Sequence, residues 1–122
     1  MHFQYIAVLL ALCSPGFAKP HQFCACQSGT DDSINIDATL EVHGKDNSRY
    51  IWAQEEGHFW IAHDSGPGPR FAGAFLKAAK GWIDGDTFYK ECRRYGGADS
   101  TCFNCSEKHL LSDGKSIVCD QT

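Results

Sequence analysis

Long hydrophobic segments are scarce in this sequence of 122 residues. The one clear apolar run, IAVLLAL at residues 6–12, is far shorter than the ~20 residues that a membrane-spanning helix needs. Its length, followed by the small residues Gly16 and Ala18, is typical of a secretory signal peptide. We therefore predict a signal peptide over residues 1–18, with cleavage between Ala18 and Lys19. We expect the mature chain to be secreted, extracellular and without a membrane anchor.

The sequence also has no excess of basic residues. The chain has 11 Lys and Arg against 15 Asp and Glu, all of them after Ala18, and its net charge is −4. A mildly acidic surface does not favour binding to nucleic acid or anionic lipid by charge alone, so we expect no nucleic-acid partner. Internal repeats, low-complexity tracts and domain linkers are absent too. These absences predict a single domain over residues 19–122. We also expect the protein to be a monomer.

Cysteine, in contrast, is abundant. Cleavage of the signal peptide would remove Cys13 and leave six cysteines, namely Cys24, Cys26, Cys92, Cys102, Cys105 and Cys119. An even number in an oxidising compartment predicts up to three disulfides, with fifteen possible pairings. Three of these cysteines together with His109 also have a spacing found in zinc sites, but zinc would need reduced thiols, which secretion disfavours. We therefore predict disulfides and expect neither a metal nor a cofactor.

The segment IDGDTFYKECRRYGG, residues 83–97, carries the strongest local signal. Asp84 is a predicted N-cap, and Gly96 can take the left-handed conformation that ends a helix. Phe88, Cys92 and Tyr95 follow at helical spacing, so they would share one buried face. The sequence thus predicts a short amphipathic helix whose cysteine forms a disulfide with Cys102 or Cys105.

Two further segments contain informative patterns. Lys19–Gln27 predicts a short linker running into a strand, in which we expect Cys24 and Cys26 to face opposite sides and to bridge different neighbours. In Ser33–His43, five apolar residues alternate with polar ones, which favours a half-buried strand. A helix capped by Thr30, with acidic residues in its first turn, is the alternative. We favour the strand.

The remaining elements follow from composition and turn residues. Arg49–Gln54 and His58–His63 are aromatic-rich and predict a β-hairpin, whereas apolar spacing over Pro69–Lys80 predicts a second helix. Strands are predicted in Ser100–Cys105 and, after an Asp-Gly turn, at the end of Leu110–Cys119. Together they predict an α+β fold: a small disulfide-stabilised sandwich with an antiparallel sheet and one or two helices packed on a face.

These motifs resemble those of a known class. A mature chain opening on Cys-Ala-Cys, the helix segment IDGDTFYKEC, a Gly-Gly turn and STCFNC are similar to small secreted cysteine-rich proteins of filamentous fungi. Many such proteins are candidate virulence effectors. Several have a compact βαββαβ sandwich like that of the killer toxins of fungal viruses. The resemblance implies this fold and a role in host interaction.

We expect the protein to bind a host or competitor macromolecule, expected to be a protein, without catalysis, so no catalytic residue is assigned. Large apolar side chains beside the SGPGP loop at residues 65–69 are typical of binding hot spots. The predicted contact residues lie around residues 55–70 and are Trp52, Phe59, Trp60 and Arg70.

Two other functions remain open. A ribonuclease-like or other small hydrolase would draw on the histidines, with nearby glutamates and arginines, for acid–base catalysis. The candidates are His43, His58, His63 and His109, Glu41, Glu55 and Glu56, and Arg49 and Arg70. An antimicrobial or killer-toxin-like protein is the other alternative, although the net charge of −4 is unusual for a membrane-active one.

Overall fold

The computed structural model describes residues 20–30, 32–46, 48–61 and 72–121. The predicted signal peptide and its cleavage site at Ala18 and Lys19 lie outside these residues. So do the loop at residues 65–69, His63 and the predicted contact residue Arg70.

Two helices and nine strands make up this part of the chain. The helices are α1 (Ile36–Lys45) and α2 (Gly85–Arg94). The strands are β1 (Pro20–His21), β2 (Phe23–Gln27), β3 (Tyr50–Trp52), β4 (Phe59–Trp60), β5 (Leu76–Ala78), β6 (Ile83–Asp84), β7 (Asp99–Phe103), β8 (Glu107–Leu110) and β9 (Ser116–Gln121). Neither helix is long and apolar enough to cross a bilayer.

Helix α2 forms as its sequence predicts. The Asp84 side chain caps it by accepting hydrogen bonds from the Asp86 amide at 3.3 Å and the Thr87 hydroxyl at 2.7 Å. Phe88 and Cys92 are fully buried on its inner face. Gly96 takes φ of +95° just beyond the last turn, a conformation that glycine adopts without strain.

The predicted strand at Ser33–His43 is wrong, because α1 occupies this segment. Its N-cap is Asn35 rather than Thr30, with the Asn35 Oδ1 accepting from the Ala38 amide at 3.0 Å. On the helix, Ala38 and Val42 face the core while Ile36 and Leu40 face outward. The alternating apolar residues therefore include one pair that is buried in the helix and one pair that is exposed. Tertiary packing, and not the apolar pattern, determines that this segment is a helix instead of a strand.

Four strands form an antiparallel sheet in the order β3-β5-β2-β7. Along the chain, its members and the helices follow as β2, α1, β3, β5, α2, β7, which is the βαββαβ arrangement. Both helices pack on one face of this sheet, over a core that includes Leu76, Ile83 and Phe88. The α+β sandwich that the sequence predicts is confirmed.

A second sheet, in the order β4-β9-β8, covers the opposite face. Its strand β4 runs parallel to β9, and β8 runs antiparallel to β9. Trp60, Phe75, Phe103 and Ile117 fill the space between the sheets. The described chain therefore has three layers, with helices, the four-stranded sheet and the three-stranded sheet in that order.

Two sequence predictions fail here because of long-range pairing. The predicted hairpin over residues 49–63 does not form, since β3 pairs with β5 and β4 pairs with β9 in a different sheet. In the described part of the predicted helix at Pro69–Lys80, β5 is a strand and Phe75 is buried between the sheets. The predicted strands at 100–105 and 116–119 are confirmed by β7 and β9.

Three disulfides link the six predicted cysteines. Cys24 bonds Cys102 across the β2–β7 pair, Cys26 bonds Cys92 on α2, and Cys105 bonds Cys119 on β9. The predicted pairing of Cys92 with Cys102 or Cys105 is therefore wrong. Cys24 and Cys26 do bridge different neighbours, but both lie in the core beneath the helices, since residues i and i+2 of a strand share a face.

Strand β2 and helix α1 are also joined by a buried hydroxyl. Thr39 Oγ1 donates to the Asn35 carbonyl at 2.9 Å and accepts from the Cys26 amide at 3.0 Å. Because Cys26 bonds Cys92, this one position of β2 is tied to both helices. The outer surface of α1 is thereby held in place beside the end of β3.

Candidate functional site

The structure describes three of the four predicted contact residues. Trp52, at the end of β3, and Phe59, on β4, are both half-buried. Trp60 is fully buried between the sheets, with its ring centroid 5.2 Å from that of Phe23 and 5.1 Å from that of Phe103. Its prediction as a partner contact needs correction, because Trp60 lies on the face of the second sheet that packs against the four-stranded sheet.

Trp52 separates two clefts, each about 460 Å³ in volume. Its ring stacks on His43 of α1, with the ring centroids 4.9 Å apart. The segment that follows is held against β5, since the Ala53 amide donates to the Phe75 carbonyl at 2.8 Å and Gln54 Oε1 accepts from the Phe75 amide at 3.2 Å. Trp52 is thus a fixed wall between two openings.

The first opening, which we call the helix groove, lies between α1 and the loop at residues 54–58. Its lining residues are Ile36, Leu40, Trp52, Gln54, Glu55, Glu56, Gly57, His58 and Ala74. Ile36 and Leu40 are 42% and 48% exposed, which is high for aliphatic side chains side by side on a helix. Carboxylates occur on both sides, since Asp37 and Glu41 are exposed on α1 and Glu55 and Glu56 are exposed on the loop. The groove is apolar inside and acidic at its rim.

The second opening, the lysine cleft, lies where the two sheets separate. It is lined by Trp52, Ala53, Gln54, Glu55, His58, Lys77, Lys108, His109, Leu110 and Ile117. Lys77 is half-buried on β5, and Lys108 lies on β8 with its Nζ 5.6 Å from the ring centroid of Trp60. This cleft therefore carries two cationic groups in a chain whose overall charge is −4.

Of the candidate acid–base residues, the structure brings some together and separates others. His58, His109 and Glu55 line the lysine cleft. His109 Nδ1 is 2.7 Å from Asp120 Oδ2 on the neighbouring strand β9, so a carboxylate orients this ring. His43 stacks on Trp52 in the other direction, Glu41 is exposed on α1, and Arg49 pairs with Glu91 away from both clefts.

The four residues weighed as a zinc site do not form one. Cys102, Cys105 and Cys119 are all in disulfides, which removes the thiolates that zinc would need. No group of three or more metal-binding side chains occurs in the described ranges.

A buried carboxylate lies under the helices. Glu91 is 5% exposed; its Oε1 accepts from Arg49 Nη1 at 2.9 Å, and its Oε2 has no hydrogen-bond partner among the described residues. Burial, and then the neighbouring Asp46, raise the pKa of Glu91 to about 7. Burial followed by the charge of Glu91 also raises the pKa of Tyr50 to about 12. Sequence patterns gave no sign of this group, which comes from three separate elements.

Trp82 is a second surface feature that the sequence did not predict. Its side chain is 54% exposed just after the Gly81 turn. It lines an opening of about 450 Å³ together with Arg49, Tyr50 and Lys80. This opening lies beside the strand pair β1–β6, since Ile83 and Asp84 also line it.

Comparison with known proteins adds no family: no family model, curated protein or solved structure matches this chain. The function is therefore inferred from the geometry of the two clefts around Trp52.

Proposed function

We propose that this protein is a secreted, effector-like protein of the filamentous fungal kind, which acts by binding a host or competitor protein and not by catalysis. The helix groove is the proposed binding surface. The observation that supports it is the exposed pair Ile36 and Leu40, which stands beside the fixed wall of Trp52 on a disulfide-linked scaffold. Rigid, half-buried aromatic groups next to exposed aliphatic ones are typical centres of binding energy.

The charge at the rim indicates what kind of partner would fit. Glu55 and Glu56 line the groove, and the exposed Asp37 and Glu41 directly follow Ile36 and Leu40 on α1 without lining it. A partner segment with an apolar anchor flanked by Lys or Arg would match this arrangement. Opposite charges of this kind raise the association rate and exclude partners of the wrong charge.

The proposed binding surface thus differs from the one that the sequence predicts. Trp52 keeps its proposed role as a contact, and the exposed side of α1 replaces Trp60, which is buried. The proposed secretion and the disulfides are linked, because disulfides persist in oxidising compartments. The proposal needs the oxidised protein, since the link from Cys26 to Cys92 helps to hold the layers that frame the groove.

The test is capture of partner proteins on the immobilised, oxidised chain, comparing wild type with the double variant Ile36→Ser/Leu40→Ser. Ile51→Ser is the matched control, because Ile51 is 40% exposed on β3 and does not line the groove. We expect a partner that is captured by wild type and the control, is lost with the double variant, and is released by raised salt. Equal capture by all three proteins would contradict the proposal.

The hydrolase is the second candidate, because His58, His109 and Glu55 share the lysine cleft and Asp120 orients His109. The same proteins are incubated with RNA, together with His58→Ala. Cleavage that is lost in His58→Ala and retained in the groove double variant would replace binding by acid–base catalysis as the function. We expect no cleavage.

A further inference from the structure

The lysine cleft has a charge arrangement that the proposed binding of a protein in the helix groove does not use. Lys77 lies on β5 beside Leu76, whose side chain is in the core beneath the helices. Because neighbouring residues of a strand point to opposite faces, Lys77 belongs to the face that the second sheet covers. Its strand is central, with Phe23 of β2 and Ile51 of β3 as its cross-strand partners.

Lys108 approaches the same cleft from the other sheet. Its Nζ lies over the ring of Trp60, which is buried between the sheets, so Lys108 points toward the four-stranded sheet. Two lysines from facing sheets therefore line one opening. Neither forms a salt bridge with a carboxylate of the described residues. Lys77 is half-buried and Lys108 is exposed, and two positive charges that line the same cleft attract an anion to it.

We propose that the lysine cleft binds a small phosphorylated molecule, with its phosphate between Lys77 and Lys108. Lysine binds phosphate as a compact point charge, and two lysines match the two negative charges of a phosphate monoester better than the single charge of a carboxylate. The described lining of this cleft has two lysines, two histidines, one carboxylate (Glu55) and no arginine, so its lysines outnumber its carboxylate. His58 supplies a further donor to the phosphate.

The rest of the cleft determines what the phosphate is attached to. Trp52, Leu110 and Ile117 form apolar walls, and Leu110 is 46% exposed. An aromatic or aliphatic group on the ligand would cover these side chains. The cleft volume of about 460 Å³ is within the range of small-molecule sites. The ligand class is therefore an organic phosphate with an apolar or planar part, and not free phosphate alone.

The test is titration of the oxidised protein with phenyl phosphate, inorganic phosphate and benzoate, followed by calorimetry and by NMR shifts of backbone amides. We expect saturable binding of phenyl phosphate, with inorganic phosphate and benzoate each on the order of tenfold weaker or worse. Amide shifts should centre on residues 77 and 108. Binding of benzoate as tight as that of phenyl phosphate would overturn the assignment to phosphate.

Charge-neutral variants give the second part of the test. Lys77→Gln and Lys108→Gln should each weaken phenyl phosphate binding by about tenfold, and raised salt should weaken it further. Lys90→Gln is the matched control, because Lys90 is exposed on α2 and lines neither cleft. Urea unfolding of Lys77→Gln and Lys108→Gln shows whether each variant is folded, and Lys77→Arg, which retains the positive charge, should keep most of the binding. An equal effect of Lys90→Gln would exclude the lysine cleft as the site.

The two proposals can be tested separately, although Trp52, Gln54, Glu55 and His58 line both openings. The groove variant Ile36→Ser/Leu40→Ser changes side chains that do not line the lysine cleft, so it should bind phenyl phosphate as wild type does. Loss of partner capture without loss of phosphate binding, or the reverse, would therefore separate the failure of one proposal from the failure of the other.

Discussion

Glu91 makes the stability of this protein dependent on pH. The folded state holds this carboxylate in a buried position beside Asp46, which favours its neutral form and raises its pKa to about 7. The unfolded chain titrates it near 4.5. The stabilisation from the neutral form is full below the unfolded pKa and is lost as the pH rises through about 7.

We expect the free energy of unfolding to fall by about 1–3 kcal/mol between pH 4.5 and pH 8. Glu91→Gln should remove most of this dependence, because the amide does not titrate. The measurement is urea unfolding of the oxidised protein across this range. Hydrogen bonds from Ser116 and Lys115 lower the pKa of Asp113 to about 2. Asp113 therefore titrates below this pH window.

Glu107→Gln is the control for this prediction, since Glu107 is exposed on β8. It should keep the wild-type pH profile. If Glu91→Gln and wild type had parallel profiles, the description of Glu91 as a carboxylate that the fold keeps partly protonated would be wrong.

At the scale of elements, the apolar residues of α1 are compatible with either a half-buried strand or a helix. As a half-buried strand, Ile36, Leu40 and Val42 would all face the core. As the observed helix, Val42 is fully buried and Leu40 is 48% exposed. Truncation therefore separates the two conformations: Val42→Ala should destabilise the fold by about 2 kcal/mol, and Leu40→Ala by about 0.5 kcal/mol or less.

Thermal and urea unfolding of the two variants measure this difference. Similar losses in both would contradict the helix and restore the strand. The result also bears on the helix groove, because Ile36 and Leu40 are available to a partner only when the segment is helical.

At the scale of the whole molecule, the disulfides are expected to contribute unequally to the free energy of unfolding. Cys26–Cys92 spans 66 residues and joins the four-stranded sheet to α2, whereas Cys105–Cys119 spans 14 residues and joins the segment between β7 and β8 to β9. Loop-closure entropy gives about 4 kcal/mol for the longer link and about 3 kcal/mol for the shorter. Loss of the longer link would also free a helix from the core.

We therefore expect Cys26→Ser/Cys92→Ser to lower stability more than Cys105→Ser/Cys119→Ser, as measured by urea unfolding without reductant. Peptide mapping by mass spectrometry should show the three pairs Cys24–Cys102, Cys26–Cys92 and Cys105–Cys119. Complete reduction that left the melting temperature unchanged would show that the disulfides do not stabilise this fold.

Local signals in the sequence were sufficient for part of this architecture. Helix α2 carries its own cap, apolar face and glycine stop within residues 83–97, so its formation needs little information from elsewhere. The disulfide-forming cysteines and the strands β7 and β9 were predicted for the same reason. Each depends on spacing and residue type over a short range.

The other decisions depended on contacts distant in sequence. Whether residues 36–45 form a helix was settled by packing over β2, and the placing of β3 and β4 in different sheets was settled by β5 and β9. The lysine cleft joins Lys77 to Lys108 across 31 positions of the chain. The sequence alone determined the class of fold and its cysteines, because those follow from local pattern. Only the tertiary structure decided which apolar and cationic side chains remain exposed together, because burial is a property of the assembled layers.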